Sequence, residues 1–134
     1  MKILISSDST CDLSAALREK YNIAIVPLYI EKEGRNYRDG VDIVPQDIFD
    51  YVGSGRGVCR TAAVNTEEYR ERFTAWRESY DAVIHFNISS EMSSCYQNAC
   101  AAAAECDNVY VVDSRNLSTG SGLLVLEAAQ RAAA

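Results

Sequence analysis

This sequence lacks the features that mark membrane, secreted and nucleic-acid-binding proteins. No apolar run approaches the roughly 20 residues that a membrane-spanning helix needs, so an integral membrane protein is not expected. The first strand-like residues turn polar at Ser6, too early for a secretion signal, which predicts a cytoplasmic location. Basic residues are few, since 13 Lys and Arg stand against 19 Asp and Glu, for a net charge of −6. Nucleic acid is therefore disfavoured as a partner, because its recognition needs a basic surface.

Metal-binding patterns are also absent. His85 is the only histidine, and it lies inside the apolar run Val83–Phe86. The five cysteines are an odd number, and no two of them are spaced Cys-x-x-Cys. A zinc cluster is therefore not expected, and the thiols are predicted to be reduced and buried or half-buried.

What the sequence does contain is an alternation of strand-like and helix-like segments, long enough for one domain over residues 1–134. Pro27 has no N–H for a ladder bond, so its strand is expected at a sheet edge or with a bulge. Glu33-Gly34 predicts a hairpin turn. The pattern predicts an α/β fold, a three-layer sandwich with a mainly parallel sheet and an added β-hairpin. The predicted strands of that sheet are Lys2–Ser7, Ile23–Ile30, Ala82–Ile88 and Val109–Val112.

Polar loops follow three of these strands, at Asp8–Asp12, Ser89–Ser94 and Asp113–Thr119. The carboxyl ends of parallel strands share one edge, where ligands of such sheets bind. The Ser89–Ser94 loop also opens an Ala-rich helix, whose free N–H groups and dipole favour a carboxylate or phosphate. The loop at Thr61 is expected to join this site from the side, and Ser9 and Ser89 are secondary candidates within it.

Other chemistries leave weaker signals. Asp8-Ser9-Thr10 after a strand is similar to aspartyl phosphatases, but Thr10 stands where their second carboxylate belongs. Capping and loop anchoring by Asp8 is therefore favoured. Gly120-x-Gly122 opens a helix but lacks the third glycine of a dinucleotide fingerprint. No nucleophile–base pair accompanies the serine-rich loop, so a binding protein is favoured over an enzyme. The alternatives are a phosphatase or other hydrolase, or a nucleotide- or phosphate-binding α/β domain.

Five short motifs, in order along nearly the whole chain, resemble those of the DegV family of fatty-acid-binding proteins. Each motif is weak alone, but five in the same order are specific. They are Asp8-Ser9-Thr10-Cys11-Asp12-Leu13, Val26-Pro27-Leu28 with Tyr37-Arg38-Asp39-Gly40-Val41-Asp42-Ile43, Ile88-Ser89-Ser90 to Tyr96-Gln97, Val112-Asp113-Ser114, and Gly120-Ser121-Gly122-Leu123.

The resemblance implies binding of a long-chain fatty acid, whose carboxylate is presented to a separate fatty acid kinase that makes an acyl phosphate for lipid synthesis. The protein would not be the phosphoryl-transfer catalyst, and no metal or cofactor is implied besides the fatty acid ligand. Matching the motifs residue by residue, the resemblance implies that Thr61 and Ser93 bind the carboxylate, and Ser94 is expected to join them.

The chain departs from the family pattern at four positions beside these residues. Ala62 replaces a common serine, Val64 a proline, Ser94 a glycine and Cys95 a threonine. The family's second, carboxyl-terminal domain, which supplies the other wall of the lipid cavity, is expected to be absent from residues 1–134. Lipid binding by this chain alone is therefore expected to be weak.

Overall fold

A computed structural model of the protein describes all residues from 1 to 134. The strands are β1 Ile3–Asp8, β2 Ala24–Val26, β3 Tyr29–Lys32, β4 Arg35–Arg38, β5 Arg60–Ala62, β6 Ala82–Asn87 and β7 Val109–Asp113. The helices are α1 Ala15–Lys20, α2 Pro45–Gly53, α3 Thr66–Arg77, α4 Cys95–Ala103 and α5 Thr119–Ala133, and a short 3-10 turn covers Ser9–Cys11. No helix among them is long and apolar enough to cross a membrane.

Four strands form a parallel sheet in the order β2-β1-β6-β7. Its two faces carry separate apolar clusters, as alternation along β1 requires: Leu4 belongs to one cluster and Ile5 to the other. Tyr69 and Phe73 of α3, with α4, complete the first cluster, and α5 completes the second. The predicted three-layer α/β sandwich is confirmed, since helices cover both faces of a parallel sheet.

The predicted strand Ile23–Ile30 is not one strand. It ends in the parallel sheet at Val26, and after Pro27 the chain resumes as β3 in a different sheet. The physical reason is the proline, which cannot donate a ladder bond and directs the chain away. Its first part, β2, lies at the edge of the parallel sheet, where a strand ending in proline was expected.

The hairpin at Glu33-Gly34 is present, but it belongs to a sheet that the sequence did not predict. Both turn residues have positive φ, 53° and 73°, as a tight hairpin turn demands. One hairpin strand, β3, also pairs with β5, which gives an antiparallel sheet in the order β4-β3-β5. Thr61 therefore lies within a strand, directly opposite Ile30, and not in a loop as expected.

Helix starts follow the capping residues in the sequence. The Asn65 side chain accepts a bond of 2.9 Å from the Glu68 amide at the start of α3, and Ser14 accepts one of 3.2 Å from Leu17 in α1. Glu68 does not complete a capping box, because its carboxylate accepts a 2.6 Å bond from the Tyr29 hydroxyl. That bond ties α3 to the small antiparallel sheet. The five thiols are free, and each is buried or half-buried.

Candidate anion-binding site

Three strands of the parallel sheet end side by side, as their polar loops predicted. β1 ends at Asp8, β6 at Asn87 and β7 at Asp113, and Asn87 pairs directly with Asp113. The segments that follow these strands are bonded to one another: Ser114 donates its amide to the Asn87 carbonyl at 3.2 Å. The carboxyl edge of the sheet is thus one connected structure from which α4 begins.

Asp8 is the buried centre of this edge. Its carboxylate is fully buried and accepts bonds from the Ile88 amide at 2.6 Å and the Thr10 hydroxyl at 2.5 Å. Burial raises its pKa, and the donated hydrogen bonds oppose that rise. A phosphatase nucleophile must reach a substrate phosphate, which a buried and fully bonded Asp8 does not. Its observed role is the loop anchoring that the sequence favoured.

Ser89 is turned inward. The residue is buried, its hydroxyl oxygen accepts a 3.3 Å bond from the Glu91 amide, and its own amide donates to the Asn116 carbonyl at 3.0 Å. These bonds hold the first turn of the Ser89–Ser94 loop. Ser89 is therefore placed as a loop anchor beneath the candidate site.

Ser93 and Ser94 lie at the N-terminus of α4. The Ser93 hydroxyl oxygen accepts a 3.2 Å bond from the Cys95 amide, which leaves its proton free to donate outward. Ser94 is exposed at the N-cap position, and its side chain makes no capping bond. The amides of Tyr96 and Gln97 have no acceptor within the chain. The helix thus offers two hydroxyls, unpaired amides and the positive end of its dipole to an anion.

The segment that follows β5, three residues beyond Thr61, is tied to this helix. Asn98, in the second turn of α4, donates its side-chain amide to the Val64 carbonyl at 2.8 Å. Val64 is fully buried, so the tether is fixed in the core. Thr61 itself is exposed and lies on the same face of the small sheet as Ile30, its cross-strand partner.

Ser9 lies in another part of the same edge. Its hydroxyl oxygen accepts a 3.1 Å bond from the Leu28 amide, which links β1 to the start of β3. It also lines a cleft of about 260 Å³ whose lining includes neither Thr61 nor Ser93. Asp12 and Asp39 line that cleft opposite the single cation Arg18. The two carboxylates outnumber the single cation there, so this cleft does not favour a carboxylate ligand.

Some residues that shape the site left no signal in the sequence. Asn98 sits in an Ala-rich helix as an ordinary polar residue, and only the tertiary contact with Val64 reveals its role. Asn87 is buried at the end of β6 and donates its amide to the Tyr69 hydroxyl at 3.1 Å and to Asp8 at 3.4 Å. A polar residue closing an apolar strand is a hint, but it does not name its partners.

The fold and this edge define a class: an α/β domain with a candidate anion site, built from hydroxyls and helix amides, at the carboxyl edge of a parallel sheet. The family model described as an uncharacterised protein of the DegV family matches residues 2–134. The chain belongs to the DegV family.

Relatives and solved structures agree with this assignment. A DegV domain-containing protein of Clostridium perfringens is 38% identical over 131 residues, which cover 96% of this chain and 47% of the relative. A protein of Thermotoga maritima named fatty acid-binding protein is 33% identical, over 85% of this chain and 41% of its own.

The structural likeness is close across the whole chain. A structure described as fatty acid binding of a DegV family protein from Thermus thermophilus has a TM-score of 0.90 and 35% identity, covering 97% of this chain and 47% of that one. DegV of Bacillus subtilis, described as a fatty acid binding protein, also has a TM-score of 0.90, at 27% identity, over 97% of this chain and 47% of that one. This chain spans about half the length of the relatives it matches.

Proposed function

We propose that this protein binds a long-chain fatty acid and holds its carboxylate between Thr61, Ser93 and Ser94. The observation that carries the proposal is the N-terminus of α4, where unpaired amides and two serine hydroxyls stand beside the segment that follows β5. Relatives described as fatty acid binding support the choice of a carboxylate over a phosphate.

The chemistry of this site suits a monoanion. A hydrogen bond from a hydroxyl or amide to a carboxylate contributes roughly 1.5–3 kcal/mol, and a helix N-terminus adds roughly 0.3–1 kcal/mol. Two or three such bonds would orient the head group but leave most of the affinity to the acyl chain, at about 25 cal/mol per Å² of buried apolar surface.

The acyl chain needs an enclosure larger than this chain provides. Three surface clefts measure about 260, 240 and 110 Å³, each below the roughly 300–1,000 Å³ usual for ligand pockets. Met92, in the loop beside Ser93, is 62% exposed and offers an apolar surface next to the head group. We infer that the remainder of a protein as long as the relatives supplies the other wall of the cavity.

A separate fatty acid kinase is the proposed partner. A carboxylate held at a helix end, with its acyl chain buried away from water, is positioned for transfer of a phosphoryl group by a second protein. Incubating the lipid-loaded protein with such a kinase and ATP should give an acyl phosphate, which hydroxylamine traps as a hydroxamate. Equal hydroxamate yield from free fatty acid without the protein would contradict the presenting role.

The binding site is tested by native mass spectrometry of the protein extended to the length of its relatives, with palmitate and oleate. Thr61→Ala and Ser93→Ala should each weaken retention of the fatty acid by about tenfold, the loss of one charge-assisted bond. Ser79→Ala is the matched control, because Ser79 is an exposed serine just before β6, at the opposite edge of the sheet. Unchanged lipid occupancy in both site variants would refute the assignment. Hydrolysis of a phosphate or acyl ester that depends on Asp8 or Ser93 would instead indicate a hydrolase.

A further inference from the structure

The Ile88–Ser94 loop, which leads from β6 into α4, begins with three successive amides that are each held by a different residue of the sheet edge. Ile88 donates to the Asp8 carboxylate at 2.6 Å, from the end of β1. Ser89 donates to the carbonyl of Asn116, in the loop after β7, at 3.0 Å, and Ser90 donates to the carboxylate of Asp113, at the end of β7, at 3.1 Å. The path of the loop into α4 is thus fixed before any ligand arrives.

Of these three anchors, Asp8 is the only fully buried carboxylate. Every contact at its two oxygens is a donor: the Thr10 amide at 3.1 Å and hydroxyl at 2.5 Å at one, and the Ile88 amide at 2.6 Å and Asn87 side-chain amide at 3.4 Å at the other. No Lys or Arg forms an ion pair with it. The site therefore fits an ionised carboxylate that is neutralised by hydrogen bonds alone.

The hydrogen bonds of Asp8 also extend through the core towards α4. Asn87 bonds both Asp8 and the Tyr69 hydroxyl, and that hydroxyl lies beside the thiol of Cys95, the first residue of α4. The same carboxylate therefore holds one end of the loop directly, at Ile88, and approaches the other end, at Cys95, through the buried side chains of Asn87 and Tyr69.

We propose that Asp8 is a positioning residue for the fatty-acid carboxylate: it holds the Ile88–Ser94 loop so that Ser93 and the first amides of α4 converge on one point. This inference rests on the proposed function. Asp8 touches no ligand in this scheme, because it is buried beneath the loop, and it acts through Ile88. A site with preformed donors binds without first ordering its loop, and so keeps the free energy that ordering would cost.

Asp8→Asn is the test, since asparagine has the same shape but keeps only one acceptor oxygen and turns an N–H₂ towards existing donors. In a folded variant of the protein extended to the length of its relatives, affinity for palmitate should fall by about tenfold or more. Asp107→Asn is the control, because Asp107 is exposed at the opposite edge of the sheet. With palmitate labelled with ¹³C at the carboxyl carbon, the carboxyl signal should move towards its free position. Amide signals of residues 88–97 should change while those of α5 stay in place, which general destabilisation would not produce.

A second pair of variants decides the matter if Asp8→Asn does not fold. Thr10→Val removes one donor to Asp8 at nearly constant shape, and Thr10→Ser keeps it. The valine variant should bind palmitate more weakly than the serine variant. Equal affinity in that pair, or wild-type affinity in folded Asp8→Asn while Ser93→Ala loses binding, would overturn the positioning role alone. Wild-type affinity in Thr61→Ala and Ser93→Ala would overturn the proposed site, and this inference with it.

Discussion

Acid should destabilise this protein through His85, the fully buried histidine on β6. Its Nδ1 shares a 2.8 Å hydrogen bond with the Ser6 hydroxyl, and its ring packs edge-on against Tyr69 and Phe73. Nε2 has no partner within the chain. Burial, with a smaller contribution from the charge of Arg72, lowers the pKa of His85 from 6.5 to about 3.

Protonation of His85 favours the unfolded chain. Between pH 6.5 and about 3 the unfolded chain binds a proton at His85 that the folded chain does not, so the free energy of unfolding falls as the pH falls. The slope is about 1.4 kcal/mol per pH unit well inside this window, which gives about 3 kcal/mol between pH 7 and 4.5. That is a large share of the roughly 5–15 kcal/mol that stabilises a typical domain.

Urea unfolding of the wild type and of His85→Gln at pH 7, 6, 5 and 4.5 measures how much His85 contributes to the loss of stability in acid. Glutamine does not titrate and can still bond Ser6, so the variant should lose less stability on acidification. Asp8 is present in both proteins, and its raised pKa acts in the opposite direction, since its folded form holds a proton to higher pH than the unfolded chain. Parallel loss of stability in the two proteins would refute the view that His85 is held neutral by burial.

Two further outcomes are expected. Gly122→Ala should lower the free energy of unfolding by about 1–3 kcal/mol in urea titrations, because its Cβ would lie 2.5 Å from the Cys11 carbonyl oxygen. Gly53→Ala, whose Cβ would meet open space, should leave stability unchanged or raise it by up to about 1 kcal/mol, and equal losses in both would contradict this packing argument. Fatty-acid affinity of the 134-residue chain should be far below that of a protein extended to the length of its relatives, since an open cleft leaves the acyl chain in water. Equal affinities by isothermal titration would show that this chain holds a complete site.

The parallel sheet was predictable because its signals are local. Apolar segments alternate with helical ones, and each strand is followed by a polar loop, so the edge at which Asp8, Asn87 and Asp113 meet follows from topology alone. The hairpin was predictable for the same reason, because two adjacent residues, Glu33 and Gly34, determine the turn.

The small antiparallel sheet was not predictable from such patterns. β5 has three residues, Arg60–Ala62, and it pairs with β3 across about thirty residues of sequence. Nothing local distinguishes so short a strand from a loop, and its stability comes from the partner strand. The prediction that Thr61 lies in a loop was therefore wrong, and the choice of Thr61 as a site residue came from the family resemblance.

The composition of the site is consistent with the charge of the whole chain. A protein with a net charge of −6 repels a free carboxylate at long range, and α4 opposes this only with dipoles that act over a few ångströms. Under the proposed function, the site would then orient the head group but contribute little to the binding free energy. Burial of the acyl chain would supply most of the affinity. An Arg at Ser93 would hold the carboxylate more tightly but would neutralise its charge. Under the proposed function, hydroxyls and amides would leave the carboxylate its negative charge, and with it the nucleophilicity that transfer of a phosphoryl group by a kinase would need.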